Sequence, residues 1–187
     1  MADLAELPWF LCKAEYRGIV PDTLDVGIRP DQFRPWGECL LTPHIVNTDN
    51  KIVVGQVERR LTSLTPPTTV MLTPVTARIE TGVLRLPRLP APAGETTPPT
   101  PGEIAEQQTT PGVPLTANNT TDVLELGDLR IAWQVAFGPM TMLGQTYRFN
   151  SFYFLSPDVA DYNPADPDWS PPEVDLTTVD RFVPAAQ

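Results

Sequence analysis

In Leu129-Arg130-Ile131-Ala132-Trp133-Gln134-Val135-Ala136-Phe137, every odd position is a sizeable apolar residue and every even one is polar or small. A two-residue period of this kind marks a β-strand with one face on a core. Gly138-Pro139-Met140-Thr141-Met142-Leu143-Gly144 follows with turn chemistry, and residues 147–155 read as a second, strongly aromatic strand. In that second strand Tyr147 and Phe149 are odd whereas Phe152 and Phe154 are even, so the apolar phase flips near Asn150-Ser151. A bulge there, or a strand covered on both faces, would produce the flip. If both faces are covered, another subunit could be the second cover, which makes Phe152 and Phe154 candidate partner contacts.

Outward from this hairpin the same grammar recurs. In Phe10-Leu11-Cys12-Lys13-Ala14-Glu15-Tyr16 the even positions are apolar, and Pro8 and Gly18 bound the run. Residues 21–35 read as loop. Gly37-Glu38-Cys39-Leu40-Leu41-Thr42-Pro43 starts a strand that Pro43 is expected to stop. Asn47-Thr48-Asp49-Asn50 is a turn signal, and residues 51–57 read as a β-branched strand with Gly55 as a bulge. Residues 69–73, 75–80, 83–86 and 113–117 are further short strands, with Thr81-Gly82 turning between two of them. Strands this short and closely spaced predict an all-β fold, a single antiparallel β-sandwich or small barrel.

The totals agree. The chain has 187 residues, enough for one sound core, and 23 prolines, well above the usual ~5%. Few windows of helical length lack Pro or Gly, so long helices are nearly excluded. Residues 86–114 concentrate the prolines into a long insertion. Read in order, the organisation is an N-terminal arm and first strand over 1–36, a sandwich core over 37–157 carrying that insertion, and an extended acidic tail over 158–187. Long Pro-rich connections can bind neighbours by adding to a sheet edge, so the segments 1–8, 86–114 and 158–187 are expected to make most contacts between subunits.

Composition narrows function by exclusion. The formal net charge is −10, with 23 acidic against 13 basic residues, which argues against nucleic-acid binding. No stretch has the length and apolarity of a membrane span, and the first residues lack the pattern of a signal peptide. The expected place of synthesis is therefore a cytoplasm. Two cysteines, Cys12 and Cys39, fall in strand-like apolar patterns and read as buried thiols. With His44 as the single histidine, a histidine-based zinc site or triad has little to draw on. Phosphate-binding glycine loops, GxSxG and CxxC are absent from the sequence, so neither catalysis nor a cofactor is expected. Asp158, Asp161, Asn163, Asp166 and Asp168 lie close in sequence but lack the glycine and distal glutamate of a calcium loop.

Several short motifs together resemble a β domain of minor tail proteins from siphophages that infect mycobacteria and related actinobacteria. They are Ala14-Glu15-Tyr16-Arg17-Gly18-Ile19-Val20, Gly37-Glu38-Cys39-Leu40-Leu41-Thr42-Pro43, Val75-Thr76-Ala77-Arg78-Ile79 and Gly112-Val113-Pro114-Leu115-Thr116-Ala117. Trp133-Gln134-Val135-Ala136-Phe137 is similar to that family's aromatic-centred strand, residues 149–157 to its strand ending in proline, and residues 174–179 to its closing segment. The resemblance implies a non-enzymatic virion component, made in the bacterial host cytoplasm, at the tail tip, baseplate or fibre base. Its partners would be other tail or baseplate proteins and further copies of itself, with the host surface touched only indirectly. The long insertion, and an end soon after the domain, depart from the family pattern and favour an adaptor over direct host recognition.

Aromatic residues supply the remaining partner candidates. Trp9 and Trp36 read as core anchors or partner contacts. Trp169 and Tyr162, with Asp166, are the set a carbohydrate- or receptor-binding sandwich would use, which is the competing reading.

Overall fold

The computed structural model describes residues 7–20, 31–53, 58–61, 68–86, 111–118, 126–159, 161–163 and 165–184. In chain order its strands are β1 (Trp9–Lys13), β2 (Gly18–Val20), β3 (Asp31–Phe33), β4 (Gly37–Val46), β5 (Glu58–Leu61), β6 (Thr68–Met71) and β7 (Val75–Glu80). There follow β8 (Val83–Arg85), β9 (Val113–Thr116), β10 (Arg130–Phe137), β11 (Met140–Met142), β12 (Gln145–Tyr147), β13 (Phe152–Leu155) and β14 (Glu173–Asp175). The fold is all-β and dominated by antiparallel pairing. A five-stranded sheet runs β13-β10-β4-β7-β8, a three-stranded sheet runs β14-β1-β9, and three two-stranded ribbons stand beside them.

β10, the strand of the decisive pattern, lies inside the larger sheet between β13 and β4. Ile131, Trp133 and Val135 point inward and are buried, meeting Phe152 and Phe154 of β13 and Cys39, Leu41 and Ile45 of β4. Phe10, Cys12 and Ala14 cover them from β1, with Val113 and Leu115 from β9. Phe10 meets Phe154 edge to face, ring centres 6.3 Å apart. The alternation read from the sequence therefore builds the core on both sheets.

β1 joins the sheets. Its first residues pair with β9, and beyond them Ala14 accepts the Leu84 N–H at 3.0 Å while the Tyr16 N–H donates to Gly82 at 2.7 Å. At the opposite seam the Asn118 N–H donates to Pro157, and the Thr116 carbonyl accepts from the Ser156 hydroxyl and the Trp133 indole. The two sheets thus close on each other as a sandwich curled toward a small barrel, which leaves little bare edge.

Three expectations need correction. β4 runs straight through Pro43 to Val46. Glu38 accepts the Gly138 N–H on the β10 side, so alternation turns the odd residues of β4 toward β7; Ile45 accordingly accepts from Val53 on that side. β7 pairs no further along β4 than Leu41, so the N–H that Pro43 lacks has no ladder partner to lose. Second, the phase flip near Asn150-Ser151 is neither a bulge nor double coverage. Residues 140–147 form their own hairpin, β11–β12, and residues 148–151 are irregular, so Tyr147 and Phe152 belong to different strands. Third, the 21–35 stretch is not all loop, because β3 pairs with β2. Of the strand expected over 51–57, only Ile52 makes a bridge, to Val46, and residues 54–57 lie outside the described residues. So do residues 1–6 and 87–110, which hold most of two proposed arms.

The third arm folds back. β14 adds to β1 in parallel, Leu176 is fully buried, and Phe182 exchanges both backbone hydrogen bonds with Tyr153 on the outer edge of β13.

Candidate interaction site

The end of the sandwich where β4 begins and β10 finishes carries an apolar surface. The Trp36 N–H donates to Thr141 at 2.9 Å and the Thr141 N–H to Trp36 at 2.7 Å, which clamps the β11–β12 hairpin onto the start of β4. Buried Met140 pins the hairpin from below, so close that a side chain at Gly37 would strike its sulfur. The hairpin turns through two residues, Leu143 and Gly144, both at positive φ, as a type I′ turn requires. Leucine is a costly choice there, by about 1–2 kcal/mol. Its side chain is 54% exposed, so burial offsets little of that cost. Trp36, on the segment clamped to the hairpin, is 52% exposed, Tyr147, on the hairpin's second strand, 37%, and Phe149, just beyond it, 44%. A shallow groove of about 510 Å³ continues from Trp36 along Glu38 and residues 76–80, past the Arg78–Glu80 ion pair.

Below Phe149 lies a second depression, a cleft of about 370 Å³ lined by Tyr16, Phe137, Phe149, Asn150, Phe152, Thr177 and Arg181. Its rings contact one another: Phe137 lies 5.6 Å from Tyr16, 5.5 Å from Phe149 and 6.2 Å from Phe152. The Arg181 guanidinium sits 4.0 Å above the Phe152 ring and donates one N–H to the Leu176 carbonyl at 2.8 Å. The buried Tyr16 hydroxyl has no hydrogen-bond partner among the described residues. Burial pushes its pKa well above the ordinary tyrosine range, so it stays protonated and able to donate.

The residues singled out from sequence separate into three places. Trp36 is on the apolar end. Phe152 and Phe154 fill the domain's own core, where Phe154 has no exposed surface; the cover that the phase flip suggested is the opposite sheet, not a neighbour. Trp9, near the start of the chain, comes together with Tyr162 and Trp169, near its end. Trp9 meets Trp169 at 5.6 Å and Tyr162 meets Trp169 at 5.2 Å, both edge to face. All three are half-buried, and the Asp166 carboxylate accepts the Asp168 N–H of its own turn. Leu143, Tyr147, Phe149 and Arg181 were not among the contact residues expected from the sequence. Only the φ-demanding Leu143-Gly144 pair between alternating strands could have signalled the hairpin tip.

His44 stands on the outer face of β4, 3.3 Å from the Gln134 amide oxygen and against the Tyr153 ring. Both thiols are buried and unbridged. Among the described residues no three His, Cys, Asp or Glu side chains are grouped to hold a metal ion, and no helix is long and apolar enough to cross a membrane. No family model matches the chain, and neither a curated protein nor a solved structure matches it.

Proposed function

We propose that this protein is a structural component of a phage tail, an adaptor at the tail tip, baseplate or fibre base that docks neighbouring tail subunits and further copies of itself. The apolar end carries the reading. Four large apolar side chains stand in solvent on one hairpin, the strand clamped to it and the segment that follows, and one of them occupies a strained turn position. Large apolar side chains left exposed on a rigid β domain favour association with another protein. The tail-protein motifs quoted above supply the kind of partner, and the folded-back C-terminal segment supplies the stiffness an adaptor needs. Assembly would take place in the bacterial host cytoplasm, with the host surface reached only through other subunits.

The competing reading, a carbohydrate- or receptor-binding sandwich, has weaker support. The rings of Trp9, Tyr162 and Trp169 are half-buried and engaged with each other edge to face, whereas a sugar platform needs an open ring face. Sedimentation of purified tails separates the two. The adaptor reading expects the protein at fixed copy number in the tail fraction, and loss of most of it when Trp36 and Leu143 are both changed to Ser. A protein absent from washed tails, or a double variant incorporated normally, would overturn it.

A further inference from the structure

We infer that a second copy of this chain docks on the open edge of β12, by antiparallel pairing of the two β12 strands about Thr146. The inference rests on the docking reading of the apolar end and assigns one partner to one edge of it. The Trp36 and Thr141 N–H groups each donate to the other's carbonyl, so the backbone polar groups of Thr141 point away from β12. Thr141 and Thr146 lie directly opposite each other, which makes theirs a non-hydrogen-bonded pair and turns the Thr146 N–H and C=O outward. No described strand pairs with that side of β12, and residues 143–150 are all exposed. The five-stranded sheet, by contrast, has both edges occupied: Phe182 bonds to β13, and β8 is met by Glu15 and Gly112. An exposed strand with outward N–H and C=O groups is a template for another strand.

Charge and register choose the partner. Chains of formal charge −10 repel one another, yet no acidic residue occurs from Leu129 to Pro157, and Arg148 is the one charged residue of that stretch after Arg130. Two copies can therefore pair here without setting carboxylates against each other. The same pairing at β14 would place Glu173 opposite the partner's Asp175. A two-fold axis at Thr146 sets Tyr147 opposite the partner's Gln145. The Tyr147 hydroxyl donates to Gln145 of its own strand at 3.1 Å, so the two side chains share a face and can exchange that bond across the pair. Arg148 falls opposite the partner's Gly144, which keeps the two arginines roughly 14 Å apart, beyond the screening length in physiological salt. Phe149 runs toward the partner's Leu143, so the contact covers apolar side chains that the domain leaves in solvent. Trp36 lies beyond β11, away from this contact, and stays available to a different tail subunit.

Sedimentation equilibrium of the purified full chain tests the pairing, run up to millimolar concentration because so small a contact belongs to the weak, transient class. The expected result is a reversible rise from the chain mass of 20.6 kDa toward twice that value. Thr146→Pro removes the outward N–H, which no described ladder uses, and should weaken self-association at least tenfold. Thr146→Lys sets like charges directly opposite across the two-fold and should weaken it as much. Being an exposed substitution, it reads the interface even if the proline variant misfolds. A wild-type chain that stays monomeric, or a Thr146→Lys protein that dimerises as the wild type does, would overturn the proposal. The two readings fail separately: a monomeric chain leaves the tail-sedimentation result untouched, and tails that lack the protein leave the dimer untouched.

Discussion

Gly82 shows how much of the fold rests on single residues. It sits at φ +80° in the turn between β7 and β8, and an added Cβ would lie 2.2 Å from the Tyr16 carbonyl oxygen, on backbone that cannot step aside. The same residue accepts the Tyr16 N–H and donates to the Pro35 carbonyl, so it fastens the seam where β1 meets the larger sheet. Gly82→Ala is therefore expected to cost at least about 2 kcal/mol, from the positive-φ penalty and the displaced seam. Urea denaturation measures it, and a loss under about 0.5 kcal/mol would mean the seam is not closed this way. The cysteines make a second residue-scale prediction. Burial pushes Cys39 up from its usual 9.0 to about 12, and Cys12 higher still, its own burial adding to the field of Cys39. The unfolded chain releases these protons first as pH rises, so the native state holds more protons and stability falls with pH. The decline should begin near pH 9 and, for Cys39, continue to about pH 12, steepening with each thiol. It should be reduced in the Cys39→Ala protein relative to its own neutral-pH stability. A pH-independent melting temperature between 8 and 10.5 would contradict the burial of both thiols.

Among the elements, legibility followed amphipathic period. β1, β7, β9 and β10 were readable because alternate residues face one core; the buried set falls on those positions, with only Ala132 of β10 buried out of phase. β5 was not: Glu58-Arg59-Arg60-Leu61 has no apolar alternation and is a strand only by pairing with β6. β4 was cut short in the reading because proline's cost depends on which side its missing N–H faces, and that is a property of the neighbours. β14 was unreadable as a sheet member, since its parallel register with β1 joins residues some 160 positions apart; Leu11 lies opposite Glu173. The cleft was hidden for the same reason, because Arg181 reaches Phe152 only once the chain has crossed the sheet. The exposed Lys13–Glu173 pair adds little to that docking; buried Leu176 does more. Leu176→Ala should cost about 2–5 kcal/mol, as for a core leucine. A calorimetric loss near zero would show that the segment after β14 lies on the surface rather than in the core.

For the molecule as a whole, charge and composition spoke against nucleic acid and membrane spans, the alternation pattern gave the all-β class, and the docking surface came from neither. Exposed apolar residues such as Leu143 and Phe149 look, in sequence, like any other core candidates. Only the folded arrangement separates those facing in from those left out. The account stands or falls on whether the apolar end is covered in the assembled particle. Hydroxyl-radical footprinting of Trp36 in the free protein and in isolated tails asks this directly, with half-buried Trp169 as the internal reference. The adaptor account predicts that Trp36 oxidation falls at least fivefold relative to Trp169 on incorporation; equal oxidation of Trp36 in the two states would contradict it.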